Sequence, residues 1–323
     1  MAKIPVTVIT GFLGAGKTSL LNHLIEKHSD KKFAIIENEF GEENIDSELV
    51  TNIQNEDIFE LSNGCICCSL NEELYVVLQK LINSNHNFNH LLIETTGIAD
   101  PGNILASFIT DPFIKKEFEL DSVICLVDAQ NARHDINNEA ILTKQIAIAD
   151  TVLINKTDLV DDAVANKLLE DIRKINSFAG IHQCTYSKPE NKQVMDVYSY
   201  DPSKIYQFVL GMEQSVDKQS ADTIHGIENM LFSTSKPMDQ MKLGMWLDAF
   251  LQFNQDTIYR IKGILNIAGF DNRIILQSVH TQIQATVGKA WEESEKRESR
   301  IVIIGKELNH SAIEKNLEEL TIN

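Results

Sequence analysis

The first half of the chain alternates short apolar runs with segments of helical periodicity. Residues 4–9 form a β-branched run, and after a glycine-rich turn residues 19–25 place their apolar side chains at helical spacing. Apolar runs that predict further buried strands are residues 33–36, 58–61, 91–94, 123–127 and 152–155. Helical patterns at 72–82 and 164–175 lie between several of them. This alternation is typical of an α/β fold with a mostly parallel sheet covered by helices.

The pattern changes after about residue 183. Residues 185–222 are polar and mostly aperiodic, although 204–210 could form a short helix. Strands and helices then resume without a glycine-rich loop; strands are predicted at 227–232, 257–267, 274–279 and 300–304, and helices near 238–253 and 311–320. We predict a nucleotide-binding domain over 1–185, a linker or irregular excursion over 186–222, and a smaller α+β domain over 223–323.

Composition and charge narrow the classes of function. The 323 residues are 43% hydrophobic and 24% charged, as in ordinary globular proteins. A formal charge of -18 without a Lys/Arg cluster argues against nucleic acid or an anionic membrane as a partner. No secretory leader or membrane-spanning run is visible, and five cysteines without spaced pairs fit a reducing compartment. We expect a cytoplasmic protein.

The segment Gly11-Phe-Leu-Gly-Ala-Gly-Lys-Thr18 matches the P-loop pattern G-x-x-x-x-G-K-[ST] between a predicted strand and helix. Glycines let backbone N–H groups surround phosphates, Lys17 can reach the β- and γ-phosphates, and the Thr18 hydroxyl can bind Mg²⁺. The alternative is a chance glycine-rich turn. The predicted nucleotide contacts here are Gly11, Gly14, Ala15, Gly16, Lys17, Thr18 and Ser19.

Asn155-Lys-Thr-Asp158 follows an apolar strand and favours GTP over ATP. The Asp158 carboxylate can accept from N1–H and the exocyclic amine of guanine, whereas adenine would leave it unpaired. Asn155 can meet the other edge of the base, and the Lys156 stem can cover its face. Asn and Asp at a strand end can also simply cap a helix. Downstream of a P-loop, the guanine interpretation is favoured.

Glu94 ends an apolar strand in Leu91-Leu-Ile-Glu-Thr-Thr-Gly97. In P-loop proteins a carboxylate in this place holds Mg²⁺ or its water, and a following glycine senses the γ-phosphate. We predict those roles for Glu94 and Gly97, against the alternative of a solvent-exposed acid. The predicted catalytic residues are Lys17, Thr18 and Glu94. Since no glutamine directly follows Gly97, intrinsic GTP hydrolysis should be slow.

Three cysteines, Cys65, Cys67 and Cys68, crowd into Asn63-Gly-Cys-Ile-Cys-Cys68. Thiolates bind Zn²⁺, Cu⁺ and similar ions, so the three can converge on one metal. Tetrahedral zinc takes four ligands, and an incomplete shell suits metal transfer. Small buried hydrophobic residues are the alternative, and we expect that state for Cys125 and Cys184.

The chain resembles the CobW-like metallochaperone GTPases along nearly its whole length. The resemblance is carried by residues 9–18, 37–41 (E-N-E-F-G), 63–68, 94–97 and 155–158, and by 260–265 and 299–305, which look like the small C-terminal domain of that family. It implies a GTPase, using GTP and Mg²⁺, that carries Zn²⁺ or another thiophilic metal on its C-x-C-C motif to a metalloprotein client. Glu37 and Glu42, on the segment expected to act as a switch, are further candidate zinc ligands.

The hypothesis is that GTP orders residues 37–46 and the loop from residue 63, giving high metal affinity, and that hydrolysis releases the metal. Stimulation by metal, client or dimerisation would raise a slow basal rate, so a homodimer is a further candidate assembly. A GTP-binding zinc or redox sensor without metal transfer is the main alternative, and a small-molecule kinase is a remote one. His225 and His280 are isolated histidines, which more often make ordinary hydrogen bonds.

Overall fold

The computed structural model describes residues 3–37, 58–60, 70–83, 88–190, 192–211 and 223–322. The chain divides into two compact units, one comprising Met1–Arg173 with Ala179–Ser199 and the other Lys174–Phe178 with Tyr200–Asn323. The passage from Ser199 to Tyr200 therefore lies within the polar stretch 186–222.

The first unit is an α/β layer structure, and all strand pairs of its sheet are parallel. Its strands are β1 (Ile4–Gly11), β2 (Phe33–Glu37), β3 (Ile58–Glu60), β4 (His90–Glu94), β5 (Phe118–Asp128), β6 (Thr151–Asn155) and β7 (Gly180–Gln183). In the part of the chain that the structure describes, these seven strands lie in the order β3-β2-β4-β1-β5-β6-β7. The helices are α1 (Lys17–Lys27), α2 (Leu70–Asn83), α3 (Gly102–Thr110), α4 (Pro112–Glu117), α5 (Ala132–Asn138), α6 (Ala140–Ile148) and α7 (Asp162–Ile175).

The parallel sheet is buried because its central strands are apolar on both faces. Every residue of β2 and of β6 is buried. Parallel strands end at one edge of a sheet, and the register brings Ile9 and Glu37 opposite Glu94, and Asp128 opposite Asn155. The segments predicted to bind nucleotide therefore meet at one edge.

The second unit is α+β, as predicted. It contains α8 (Pro202–Gly211), β8 (Ile227–Thr234), α9 (Gln240–Phe253), β9 (Ile258–Leu265), β10 (Asn272–Val279), β11 (Gln282–Ala290), β12 (Ser299–Lys306) and α10 (His310–Glu319). Its described strands form an antiparallel sheet in the order β11-β10-β9-β12-β8. One core joins leucines of α9 to Ile313 and Leu317 of α10 and to the sheet. The fold class expected from the sequence is confirmed.

None of the helices that the structure describes combines the length and the apolar character needed to cross a membrane.

Candidate functional site

The P-loop connects the end of β1 to the start of α1 through glycines with positive φ. The φ angles are 137° at Gly11, 71° at Gly14 and 102° at Gly16, values that L side chains rarely adopt. A Cβ at Gly11 would lie 2.3 Å from the Leu126 carbonyl oxygen, so β5 leaves no room for a side chain. Helix α1 then begins at Lys17 without an acidic residue in its first turn. Its N-terminus favours an anion.

Lys17, Thr18 and Glu94 lie at this edge in a geometry suited to phosphate and Mg²⁺. The Thr18 hydroxyl donates to Glu94 Oε1 over 2.9 Å, and Lys17 Nζ donates to the Phe12 carbonyl oxygen over 3.3 Å. A hydroxyl and a carboxylate are the hard oxygen ligands that Mg²⁺ prefers. The residues present thus fit Mg²⁺ beside a P-loop phosphate.

Glu37 is the last residue of β2 and is buried, with 4% of its surface exposed. The register places it opposite Glu94 on one side and Glu60 on the other. Three strand ends therefore carry a glutamate at the same edge. Glu42, the other acidic candidate, lies outside the described residues.

Gly97 packs directly against the P-loop. A Cβ at this position would lie 2.7 Å from both the Leu13 backbone nitrogen and Leu13 Cδ2. The segment is anchored upstream, where Thr95 N donates to the Ile9 carbonyl oxygen over 2.9 Å. The predicted phosphate sensor and the P-loop are therefore immediate neighbours.

The Asn155 amide bonds extensively to protein groups. Its Nδ2 donates to the Ala15 carbonyl oxygen and to Ser187 Oγ, each over 2.9 Å, and its Oδ1 accepts from Ser187 N over 2.8 Å. Ser187 Oγ in turn donates to the Gly16 carbonyl oxygen over 2.9 Å. Gly16 is required here, because a Cβ would lie 2.5 Å from Ser187 Oγ and 2.6 Å from Asn155 Nδ2. Asn155 thus connects β6 to the P-loop.

Lys156 has φ 60°, and its Nζ donates to Asp128 Oδ2 over 2.7 Å. Burial alone raises the pKa of the Asp128 carboxyl, but hydrogen bonds from Lys156, the Gln130 N–H and Asn131 outweigh it, and the pKa is lowered. Asp128 therefore holds Lys156 as a charged partner. Asp158 follows in a 3-10 turn, Thr157–Leu159, and is exposed.

Asp128 and Ser187 were not among the site residues predicted from the sequence. Asp128 ends an apolar strand, as Glu94 does, and that shared position was the available signal. Ser187 stands in the polar stretch interpreted as a linker, and its contacts with Gly16 and Asn155 carry no sequence pattern.

Cys65, Cys67 and Cys68 lie outside the described residues. Within the described ranges, no group of three or more His, Cys, Asp or Glu side chains could hold a metal ion. Cys125 and Cys184 are buried, as expected, and burial raises the pKa of each thiol to about 12. Both are therefore protonated residues of the core.

The P-loop, the Glu94 carboxylate beside the Thr18 hydroxyl, and the bond from Asn155 to the loop are together typical of P-loop nucleotide-binding proteins. The chain matches the family described as CobW/HypB/UreG, nucleotide-binding domain, over residues 5–183. It also matches the cobalamin synthesis protein cobW C-terminal domain over residues 227–321. The chain belongs to this family, as the resemblance in sequence implied.

Named relatives and solved structures agree with this assignment. Zinc chaperone YjiA of Escherichia coli is 33% identical over 97% of each chain. Zinc-regulated GTPase metalloprotein activator 1 of Schizosaccharomyces pombe is 29% identical, over 81% of this chain and 72% of that protein. The crystal structure of Zn(II)-bound YjiA GTPase from E. coli covers 100% of both chains with a TM-score of 0.70 at 28% identity. A Zn(II)-bound triple mutant of YjiA gives 0.76 at 30% identity, again over 100% of both chains.

Proposed function

We propose that this protein is a GTP-dependent metal chaperone that binds zinc on Cys65, Cys67 and Cys68 and couples GTP binding and hydrolysis to zinc transfer. Nucleotide binding is supported above all by the hydrogen bonds of Asn155 with Ala15 and Ser187, which join the base-recognition segment to the P-loop. Zinc binding and transfer are supported by the thiol motif and by the similarity to proteins named zinc chaperone and zinc-regulated GTPase metalloprotein activator. The client is a metalloprotein.

Guanine binding follows from the exposed Asp158 carboxylate and the Lys156 stem. The Asp158 carboxylate accepts hydrogen bonds from guanine N1–H and from the exocyclic amine of guanine. Lys156, held by Asp128, covers the base with its aliphatic stem while its ammonium group stays paired. Asn155 acts by keeping these residues in register with the P-loop.

Hydrolysis requires charge compensation at the phosphates. When bound, Mg²⁺ would be held by the Thr18 hydroxyl and by Glu94, directly or through a water molecule, and would stabilise the negative charge on the phosphate oxygens. Lys17 and the N–H groups of the P-loop bind the phosphate chain. Glu94 accepts from the Thr18 hydroxyl and orients it. Because no glutamine directly follows Gly97, the basal rate is slow until metal, client or a second copy stimulates it.

The nucleotide state changes zinc affinity through the carboxyl ends of β2 and β4. Glu37 ends β2 opposite Glu94, so the carboxyl end of β2 lies beside a residue proposed to bind Mg²⁺. GTP holds this segment and the thiol loop in a state of high zinc affinity, and hydrolysis lowers that affinity. Glu37 and Glu42 are candidates for the fourth ligand.

The test follows phosphate release and zinc release in one sample. The chain, loaded with one equivalent of zinc, is mixed with Mg²⁺-GTP and a chromophoric zinc chelator in a stopped-flow instrument. Zinc release should follow the time course of phosphate release in a single turnover, and a GTP analogue that is not hydrolysed should suppress both. Zinc release that is independent of nucleotide would contradict the proposal. A sensor would instead keep its zinc and show reversible thiol oxidation.

A further inference from the structure

Gln145 lies on α6 and is completely buried, with 0% of its surface exposed. Its Nε2 donates to the Gly97 carbonyl oxygen over 3.2 Å and to the Ala99 carbonyl oxygen over 3.0 Å. On its other side, Gly97 packs against Leu13 of the P-loop. One side chain from α6, remote in sequence, thus fixes the loop after Glu94 against the phosphate-binding segment.

Packing alone does not account for a glutamine here. Its neighbours Leu142 and Ile146 on the same helix are buried apolar residues. No described residue donates to Gln145 Oε1, which is itself buried. Burying an unsatisfied amide oxygen costs free energy that leucine or methionine would avoid. The two N–H donors are what this residue type adds to the site.

The two N–H donors of Gln145 fix the orientation of the peptide groups in the loop that contains Gly97 and Ala99. A trans peptide is planar, so its carbonyl oxygen and the following N–H point in opposite directions. Fixing the Gly97 carbonyl oxygen toward α6 therefore turns the N–H of Ile98 away from α6. With Thr95 N bonded to Ile9, the loop is held at both of its ends.

We propose that Gln145 is a positioning residue for recognition of the γ-phosphate, acting through the Gly97 loop. The inference rests on the proposed function, in which this loop senses GTP. GDP lacks the γ-phosphate that the Gly97 loop contacts, and it binds mainly through the P-loop and Asn155-Lys-Thr-Asp158. Loss of Gln145 should therefore weaken GTP-like ligands and spare GDP.

The test uses the full chain with Mg²⁺ and fluorescent derivatives of GDP and of a non-hydrolysable GTP analogue. Gln145→Met removes the donors at similar volume, and Gln145→Leu removes them with a smaller apolar side chain. In both, affinity for the analogue should fall about tenfold while GDP affinity changes by less than about twofold. Ala140→Ser is the control, because Ala140 is exposed at the start of the same helix and its substitution should change neither affinity.

Equal losses for both nucleotides, or no loss for either, would overturn the role of Gln145, since a merely structural residue would not separate them. Phosphate release by the unmodified chain is measured in the same buffer. Its absence would count against the proposed GTPase, while the ratio of the two affinities still decides the role of Gln145.

Discussion

The Asn155 side chain donates to the Ala15 carbonyl oxygen over 2.9 Å, so the end of β6 is bonded directly to the P-loop. Asn155→Ala removes this bond and leaves the Ser187 N–H without its acceptor, although Ser187 Oγ keeps its bond to the Gly16 carbonyl oxygen. We expect the affinity for GTP and for GDP to fall about tenfold or more, by similar factors. Titration with fluorescent nucleotides measures this, with the exposed Asn137→Ala as control. Unchanged affinity would show that the junction does not organise the site.

Base selectivity should depend on Asp158. Asp158→Asn replaces an acceptor by a group whose N–H₂ opposes the exocyclic amine of guanine and matches the C2 carbonyl of xanthine. GTP affinity should fall about 100-fold, and XTP should become the better ligand. Competition between the two nucleotides decides this. Retained preference for GTP would mean that another group reads the base.

Glu94 should control the requirement for Mg²⁺. Glu94→Gln keeps the shape but removes the negative charge beside Thr18 Oγ1. We expect turnover to fall about 100-fold and the Mg²⁺ concentration for half-maximal rate to rise, with GDP affinity nearly unchanged. Phosphate release measured across a Mg²⁺ series tests this. Normal turnover at low Mg²⁺ would exclude Glu94 from the metal site.

His90 gives the first unit an acid sensitivity far from the nucleotide. The Thr7 hydroxyl donates to Asp121 Oδ2 over 3.0 Å, so it accepts from His90 Nε2 at 2.9 Å. Burial, aided by Lys31 and only partly opposed by Asp196, lowers the pKa of His90 to about 4. The folded protein thus holds this imidazole neutral at pH values where an unfolded histidine is protonated.

Because the pKa is lower in the folded state, the unfolded chain binds more protons below pH 6.5, and stability falls as pH falls. The loss approaches about 3 kcal/mol by pH 4, where folded His90 is half protonated because its pKa is about 4. Urea unfolding at pH 7.5, 5.5 and 4.5 measures it. In His90→Gln this part of the pH dependence should disappear, although the raised pKa of Asp121 still contributes in both proteins. If the unmodified chain and His90→Gln lose stability identically as pH falls, His90 is not the source of this acid sensitivity.

The strands with continuous apolar sequence were predictable from the sequence. The run 152–155 became β6 (Thr151–Asn155), whose residues are all buried. Strands β7 and β11 were not predicted. Gly180–Gln183 is a short edge strand that lacks the alternation or apolar run that marks a strand. Gln282–Ala290, also at a sheet edge, does alternate apolar Ile283, Ala285 and Val287 with polar residues, so this strand had a signal in the sequence that the prediction did not use.

The P-loop and the Asn155–Asp158 segment were recognisable because phosphate and guanine constrain residue types at fixed spacing. Asp128, Gln145 and Ser187 were not, because each acts through a contact made only in the folded chain. Gln145 reaches Gly97 across 48 positions, and Ser187 reaches Gly16 across 171. Tertiary contacts of this kind leave no local pattern.

The central claim is that nucleotide state sets zinc affinity, and a competition titration tests it most directly. Zinc is titrated against a chromophoric chelator with the chain free, bound to GDP, and bound to Mg²⁺ with a GTP analogue; Cys67→Ser is the control. We predict the tightest zinc binding with the analogue, loss of that binding in Cys67→Ser, and by reciprocity tighter analogue binding when zinc is present. Equal zinc affinity in all three states would contradict the account.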